Sequence, residues 1–228
     1  MGTKNDYLPT KYWLEDNTIH RAFFEYEEYL DESPRDWDNL GTMVCGHRRY
    51  TLGDIQVRDM EEWEANKPLK KDTLVILPLG LYDHSGITMY VGGITDPWDS
   101  GEVGYIYVRK DNEEVIEYKK THTWKETEEW AEKILRGEVE TYDQYLRGDV
   151  YCLCEEVYNE ETEEWENMDS LGCIYLDTHK EQESAVNEIK CYSSGTYEFI
   201  DEDKVLNAIE HHEIDILAGQ KVFSFMEA

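Results

Sequence analysis

The sequence predicts a single α+β domain, over residues 1–228, in which a mainly antiparallel sheet is packed by one long amphipathic helix and by shorter C-terminal helices. Three observations predict this class. Short runs of β-branched and aromatic residues alternate with turn residues along the chain. One stretch, residues 125–147, repeats apolar side chains at intervals of three and four. No fixed-period repeat and no linker divides the chain.

The predicted main sheet contains residues 18–27, 74–79, 103–108 and the hairpin segments 149–157 and 165–176. Each segment combines β-branched and aromatic residues and is bounded by turns. Pro78 places the end of segment 74–79 at a sheet edge. The tip of the hairpin, residues 159–164, is too charged to be buried. A further strand is predicted at residues 221–225.

The long helix is predicted to end at Gly148 and to pack on the sheet through its apolar stripe. The stripe consists of Trp130, Ile134, Leu135, Val139, Tyr142, Tyr145 and Leu146.

Two shorter helices and one loop are also predicted. Asp177 has the character of an N-cap for a second helix that extends to Lys190, and a third helix is predicted at residues 201–210. Residues 37–54 contain three glycines and are predicted to form an irregular, structured loop.

The chain is strongly acidic, with 52 Asp and Glu against 22 Lys and Arg and a net charge of −30. Such a field repels phosphate, which disfavours direct binding to nucleic acid or to an anionic membrane. The sequence has no apolar run long enough to span a membrane and no secretory signal in residues 1–10. We therefore expect a cytoplasmic protein, and the odd count of five cysteines favours reduced thiols.

The acidity is concentrated in the helix and hairpin segment, residues 111–176. Between residues 111 and 170 there are twenty acidic and six basic residues. These charges form either a solvated coat or a functional acidic face. For the second alternative, the candidate partner-binding residues are Glu155, Glu156, Glu163, Glu164 and Glu166 on the hairpin and Glu128, Glu129 and Glu132 on the helix.

A metal-dependent or hydrolytic site is the main alternative to a binding face. Asp83, His84 and Asp99 are the candidate metal ligands, because neighbouring Asp and His side chains orient water or bind a divalent ion. Both segments also have turn composition, in which Asp and Ser cap backbone amides. No catalytic residue and no cofactor is assigned.

Two further clusters leave alternatives open. Cys45 and His47 together with the pair Cys152 and Cys154 are either metal ligands or small buried side chains. Residues 47–50, with sequence HRRY, are the one dense basic segment. They either bind a phosphate or pair internally with acids such as Asp36, Asp38 or Asp54.

Four blocks of the sequence are long and rich in rare residues: residues 33–50 (SPRDWDNLGTMVCGHRRY), 81–89 (LYDHSGITM), 97–108 (PWDSGEVGYIYV) and 138–151 (EVETYDQYLRGDVY). These blocks resemble a family of uncharacterised proteins from bacteriophages and mobile elements. The family's hairpin usually ends in a Cys-Trp-Gly-Phe run, where this chain has Gly-Cys-Ile-Tyr at residues 172–175. The segment 191–228 has no counterpart in the resemblance and is interpreted as a C-terminal extension.

The resemblance implies a viral or mobile-element source and no specific chemistry. Combined with the charge, it suggests a non-enzymatic counter-defence protein that mimics DNA or RNA and blocks a host defence nuclease, either a restriction enzyme or a CRISPR effector. A virion-associated accessory protein is a second alternative. We also expect residues 37–54, 82–89 and 97–108 to lie side by side in the fold.

Overall fold

The fold was analysed in a computed structural model, which describes residues 8–27, 30, 32–83, 86–92, 100–176, 181–192, 198–215 and 217. The predicted strand at 221–225 and the predicted cap Asp177 lie outside these residues. The helices are α1 (Met60–Asn66), α2 (Glu113–Lys119), α3 (Trp124–Arg147), α4 (Glu181–Tyr192) and α5 (Glu202–Glu210). The strands are β1 (Lys11–Glu15), β2 (Thr18–Tyr26), β3 (Thr42–Cys45), β4 (Ile55–Gln56), β5 (Thr73–Asp83), β6 (Ile87–Val91), β7 (Ser100–Arg109), β8 (Tyr151–Asn159) and β9 (Glu164–Ile174).

The α+β class is confirmed, but the prediction of one main sheet is wrong. The strands form a four-stranded sheet, in the order β1-β2-β8-β9, and a five-stranded sheet, in the order β4-β3-β7-β5-β6. Each sheet belongs to its own compact unit: unit 1 comprises residues 1–29 and 150–228, and unit 2 comprises residues 30–149. The single domain over residues 1–228 stays a prediction.

Unit 1 is an antiparallel sheet with a helix on each face. The β1–β2 turn at Asp16 and Asn17 has positive φ at both residues, as a two-residue hairpin requires. Trp13 and Leu153 are buried on one face with Ile189 of α4. Tyr12, Ile19 and Tyr158 are buried on the other face with Val205 of α5. The β8–β9 hairpin is confirmed, and β9 is an edge strand.

Unit 2 packs α3 on its five-stranded sheet, as the apolar stripe predicts. Leu135 and Val139 are buried among sheet residues, and Trp130, Ile134 and Leu146 pack around them. Thr123 and Glu126 form a capping box at the start of the helix, and Gly148 has a φ of 70° at its end.

The three sequence blocks expected to lie side by side do so within unit 2. β3 pairs with β7, and β7 pairs with β5, so the described parts of all three blocks belong to neighbouring strands. Residues 37–54, predicted to be irregular, contain the short strand β3, which lies parallel to β4. The remainder of that segment is irregular apart from turns and bends.

Candidate functional site

The predicted acidic hairpin is formed by β8 and β9, which are joined by a hydrogen-bonded turn. The Asn159 Oδ1 atom accepts hydrogen bonds from the backbone amides of Glu161 (2.9 Å) and Thr162 (3.3 Å). This Asx-type arrangement closes the turn without using any of the glutamate side chains. The Asn159 Nδ2 atom donates to the carboxylate of Glu166 at 2.6 Å, which ties the two strands together just below the tip.

Two of the predicted contact residues, Glu155 and Glu156, are engaged inside unit 1. The Glu155 carboxylate lies 3.1 Å from Nδ1 of His20, and the Arg21 Nε atom donates to Glu156 at 2.8 Å. Each carboxylate side chain is only 18% exposed. The Arg21 guanidinium also lies 4.1 Å from the ring centre of Trp165, so it anchors the base of the hairpin. We therefore remove Glu155 and Glu156 from the candidate contact surface.

The remaining hairpin acids are exposed and uncompensated. We call residues 159–166 the acidic arm. The chain contains no Lys or Arg between residues 148 and 179. Among the residues that the structure describes, none of the arm carboxylates takes part in an ion pair. The arm carboxylates belong to Glu160, Glu161, Glu163, Glu164 and Glu166, all of which are exposed.

The predicted helix acids carry less free charge than the arm. Glu129 lies 3.6 Å from the Lys125 ammonium group, and Glu132 accepts a hydrogen bond of 2.7 Å from Arg136. Both pairs have the i, i+4 spacing that partly neutralises a helix surface. Glu128 is exposed. Because the helix belongs to unit 2 and the arm to unit 1, we treat them as separate surfaces.

The metal or hydrolytic alternative gains no support from the described residues. The Asp83 carboxylate is paired with Arg49 and accepts a hydrogen bond from the Tyr50 hydroxyl at 3.4 Å. His84 and Asp99 lie outside the residues that the structure describes. Within those residues, no group of three or more His, Cys, Asp and Glu side chains is arranged to hold a metal ion. Burial raises the pKa of Cys45 to about 12, which disfavours its thiolate form at neutral pH.

Sequence reasoning missed the most developed ionic cluster, which surrounds Arg35 in unit 2. Its guanidinium donates to Asp54 at 2.8 and 2.7 Å and to Glu138 at 3.0 Å. Asp54 also accepts from the Met43 amide (2.6 Å), and Glu138 accepts from the Leu40 amide (2.8 Å). The cluster thus fixes the segment before β3 onto α3. One signal was present in the sequence: Glu138 falls three residues after Leu135, inside the spacing of the apolar stripe.

Internal pairing of the basic segment 47–50 is found, but in the described residues none of the three acids expected as partners, Asp36, Asp38 and Asp54, provides it. Arg49 pairs with Asp83. Asp54 pairs with Arg35 instead, and Asp36 accepts a hydrogen bond from the Ser33 amide. Arg48 has no ion pair with any residue that the structure describes.

Burial raises the pKa of two carboxyl groups of α3. For Glu138 the increase persists although Arg35 and the backbone amides of Gly41 and Leu40 lower its pKa. For Asp143 it persists although the Met89 amide and Arg147 lower it. Both groups therefore hold a proton more tightly in the folded chain than in the unfolded chain.

Folding raises the pKa of Glu138 and Asp143, so their protonation is expected to stabilise the folded protein as the pH falls from neutral toward their ordinary values of 4.5 and 3.8. A carboxyl group whose pKa is raised by folding contributes stabilisation that is complete below its unfolded pKa and is lost as the pH rises through its folded pKa. Glu138 and Asp143 both act in this direction. Protonation also relieves the self-repulsion of the acidic surface. The measurement is the melting temperature across this pH range.

Salt separates the two contributions to this pH dependence. At about 0.5 M NaCl the Debye length is roughly 4 Å, so surface repulsion is screened and the buried groups dominate the remaining slope. The variant Asp143→Asn keeps an acceptor for the Met89 amide and is expected to have a flatter slope at high salt. A melting temperature that falls steadily at high salt as the pH is lowered from neutral to about 4.5 contradicts the assignment.

Comparisons with protein-family models, with curated protein sequences and with solved structures found no match to this chain. The resemblance of four sequence blocks to phage and mobile-element proteins therefore stays a prediction. In the described residues, no helix combines the length and the apolar character needed to cross a membrane.

Proposed function

We propose that this protein is a non-enzymatic counter-defence factor from a bacteriophage or mobile element, and that its acidic arm occupies the basic nucleic-acid groove of a host defence nuclease. The partner is a restriction or CRISPR effector in the host cytoplasm. The observation that carries the proposal is the arm itself, with five exposed carboxylates in seven residues and no compensating base between residues 148 and 179.

The charge density of the arm approaches that of a nucleic-acid strand. Seven residues span about 23 Å when fully extended, so five charges amount to at least one per roughly 5 Å. One strand of duplex DNA carries one phosphate per ~3.4 Å of axis. A groove built to hold phosphates therefore meets a comparable field, and the net charge of −30 strengthens the long-range attraction.

The shape of the arm supports insertion into a groove. Its base is held by the Arg21–Glu156 pair and by the stacking of Arg21 on Trp165, while the tip is closed by backbone hydrogen bonds to Asn159. The backbone of the tip therefore needs no rearrangement before binding. A preordered backbone loses less conformational entropy on association than a flexible tail does.

The alternative is that the arm acids only prevent the β9 edge from pairing with other chains. Exposed edge strands pair with other chains unless charges prevent it, and β9 is exposed along most of its length. In that case the protein is an accessory protein whose acidity serves only solubility. The counter-defence proposal predicts that activity depends on charges at the arm itself. The edge-protection alternative predicts that these charges affect only aggregation.

The test replaces all five arm glutamates by glutamine and measures phage protection. Host strains that each express one restriction or CRISPR system are challenged with a sensitive phage, and the protein is supplied from a plasmid. The parent protein is expected to raise the efficiency of plating in at least one strain. The arm variant is expected to lose at least ten-fold of that effect, since five charge contacts are removed.

A matched control changes the same charge elsewhere. Replacing Glu61, Glu102, Glu113, Glu114 and Glu140 of unit 2 by glutamine also removes five exposed carboxylates and is expected to preserve protection. Equal protection by the arm variant and the parent overturns the proposal, as does failure of the parent to protect any strain. Aggregation of the arm variant with full activity in its soluble fraction identifies edge protection as the role of the acids.

A further inference from the structure

Unit 2 contains a cavity of about 450 Å³ next to the basic segment 47–50. That volume lies in the range of small-molecule sites in proteins. The side chains that line the cavity include those of His47, Arg48, Gln56, Arg58, Asp59 and Trp63.

The parallel pairing of β3 and β4 creates this cavity. Since the two strands run in the same direction, the segments that follow them, beginning at Gly46 and Val57, leave the sheet at the same edge. The Val57 amide donates to the Cys45 carbonyl at 2.8 Å, which holds the two exits together. A Cβ atom on Gly46 would lie 3.0 Å from Val57 Cγ2, so glycine allows this close approach.

Arg48 and Arg58 differ from every other arginine of the chain. The chain has eight arginines, all of them within the described residues, and six form ion pairs with carboxylates. In the described residues neither Arg48 nor Arg58 forms such a pair, and both line the same cavity. In a protein with 52 acidic residues, two uncompensated guanidinium groups at one cavity form a specific cationic site.

The acids nearest to this cavity are engaged by the backbone. Asp59 caps α1 by accepting a hydrogen bond from the Glu62 amide at 3.0 Å. The Glu62 carboxylate in turn accepts from the Arg58 amide at 2.7 Å. With Arg48 and Arg58 against Asp59, the charged side chains lining the cavity carry a net positive charge.

Two rings add polar and apolar functions to the cavity. His47 stacks on Tyr50, with ring centres 4.9 Å apart, and its Nδ1 atom accepts from the amides of Arg49 and Tyr50 at 3.3 Å. Its Nε2 atom then carries the proton and is the donor of the ring. Trp63 is held edge-on against Tyr105, at 5.2 Å, and provides an aromatic surface.

We propose that this cavity binds a nucleoside monophosphate. Arg48 and Arg58 bind the phosphate, for which paired guanidinium groups are the preferred protein ligands. Trp63 contacts the planar base, as aromatic side chains do in nucleotide sites. The site lies in unit 2 and is independent of the acidic arm, so it holds whether or not the counter-defence proposal does.

The test is calorimetric titration of the full chain with AMP, CMP, GMP and UMP, and with inorganic phosphate and adenosine. At least one of the nucleotides is expected to bind, and at least ten-fold more tightly than phosphate or adenosine. The variants Arg48→Gln and Arg58→Gln are each expected to weaken its binding at least ten-fold. Both residues are exposed, so the fold should persist, which the melting temperature checks.

Arg49→Gln is the matched control. It removes the same charge one residue away, from an arginine that pairs with Asp83, and is expected to change nucleotide affinity less than two-fold. Absence of binding by all four nucleotides overturns the proposal. If inorganic phosphate binds as tightly as the nucleotide, the role of Trp63 is overturned. If Arg49→Gln weakens binding as much as Arg48→Gln and Arg58→Gln do, only overall charge matters and the specific roles of Arg48 and Arg58 are overturned.

Discussion

Replacement of Arg35 by methionine is expected to lower the free energy of unfolding of unit 2 by about 3–5 kcal/mol. The Arg35 side chain is 4% exposed and compensates both Asp54 and Glu138. Burial alone would lower the pKa of Arg35, but its hydrogen bonds to these two carboxylates raise it above the ordinary value. Methionine fills a similar volume but leaves the largely buried Glu138 carboxylate and the partly exposed Asp54 carboxylate without their cation.

Two measurements detect this change. Urea denaturation gives the free energy of unfolding, and hydrogen exchange reports the amides of Leu40, Gly41 and Met43, which donate to the cluster carboxylates. The control is Arg49→Met, because Arg49 is 66% exposed and its pair with Asp83 is expected to contribute less than about 1 kcal/mol. Similar destabilisation by both variants would contradict the structural role of Arg35.

Replacement of Gly104 by alanine is expected to destabilise unit 2 by about 3 kcal/mol. A Cβ atom at this position would lie 2.0 Å from the Val44 carbonyl oxygen and 3.0 Å from the Cys45 Cα atom. Both neighbours are backbone atoms of β3, which is fully buried at these residues. No side-chain rotation relieves the contact, so β3 and β7 must separate where Cys45 pairs with Gly104.

The matched control for this substitution is in the same strand. An added Cβ atom at Gly101 meets no heavy atom of the described residues within 4 Å, so Gly101→Ala is expected to change stability by less than about 0.5 kcal/mol. Thermal denaturation of the two variants beside the parent protein measures the difference. If Gly104→Ala and Gly101→Ala have the same melting temperature, the close approach of β3 and β7 is wrong.

The elements predicted well are those whose signal is local. The apolar repeat of α3 and its terminal Gly148 lie in one continuous segment of the sequence. The predicted helix, residues 125–147, therefore differs from the observed helix, Trp124–Arg147, by one residue. The hairpin β8–β9 is local for the same reason. By contrast, the membership of a strand in one sheet or another depends on distant partners. β2 pairs with β8 across a separation of more than 120 residues, and alternation alone does not identify that partner.

For the candidate sites, too, local features could be predicted from the sequence but contacts between distant segments could not. Exposure of the arm glutamates follows from local composition, and the sequence predicts it for Glu163, Glu164 and Glu166. The neutralisation of Glu155 and Glu156 does not, because His20 and Arg21 are each 135 residues away. The nucleotide cavity likewise depends on β3 and β4, two strands that are too short for a periodic signal.

The discontinuity of unit 1 affects how the chain matures on the ribosome. β1 and β2 are synthesised first, yet the strand that pairs with β2 begins only at Tyr151, after the whole of unit 2. At 5–20 residues per second, about 6–25 s pass between the synthesis of Tyr26 and that of Tyr151. During that interval β2 carries an open edge, with Phe24 awaiting its partner Leu153. The nascent β1–β2 hairpin is therefore exposed to misassociation and to chaperone capture until β8 has been synthesised.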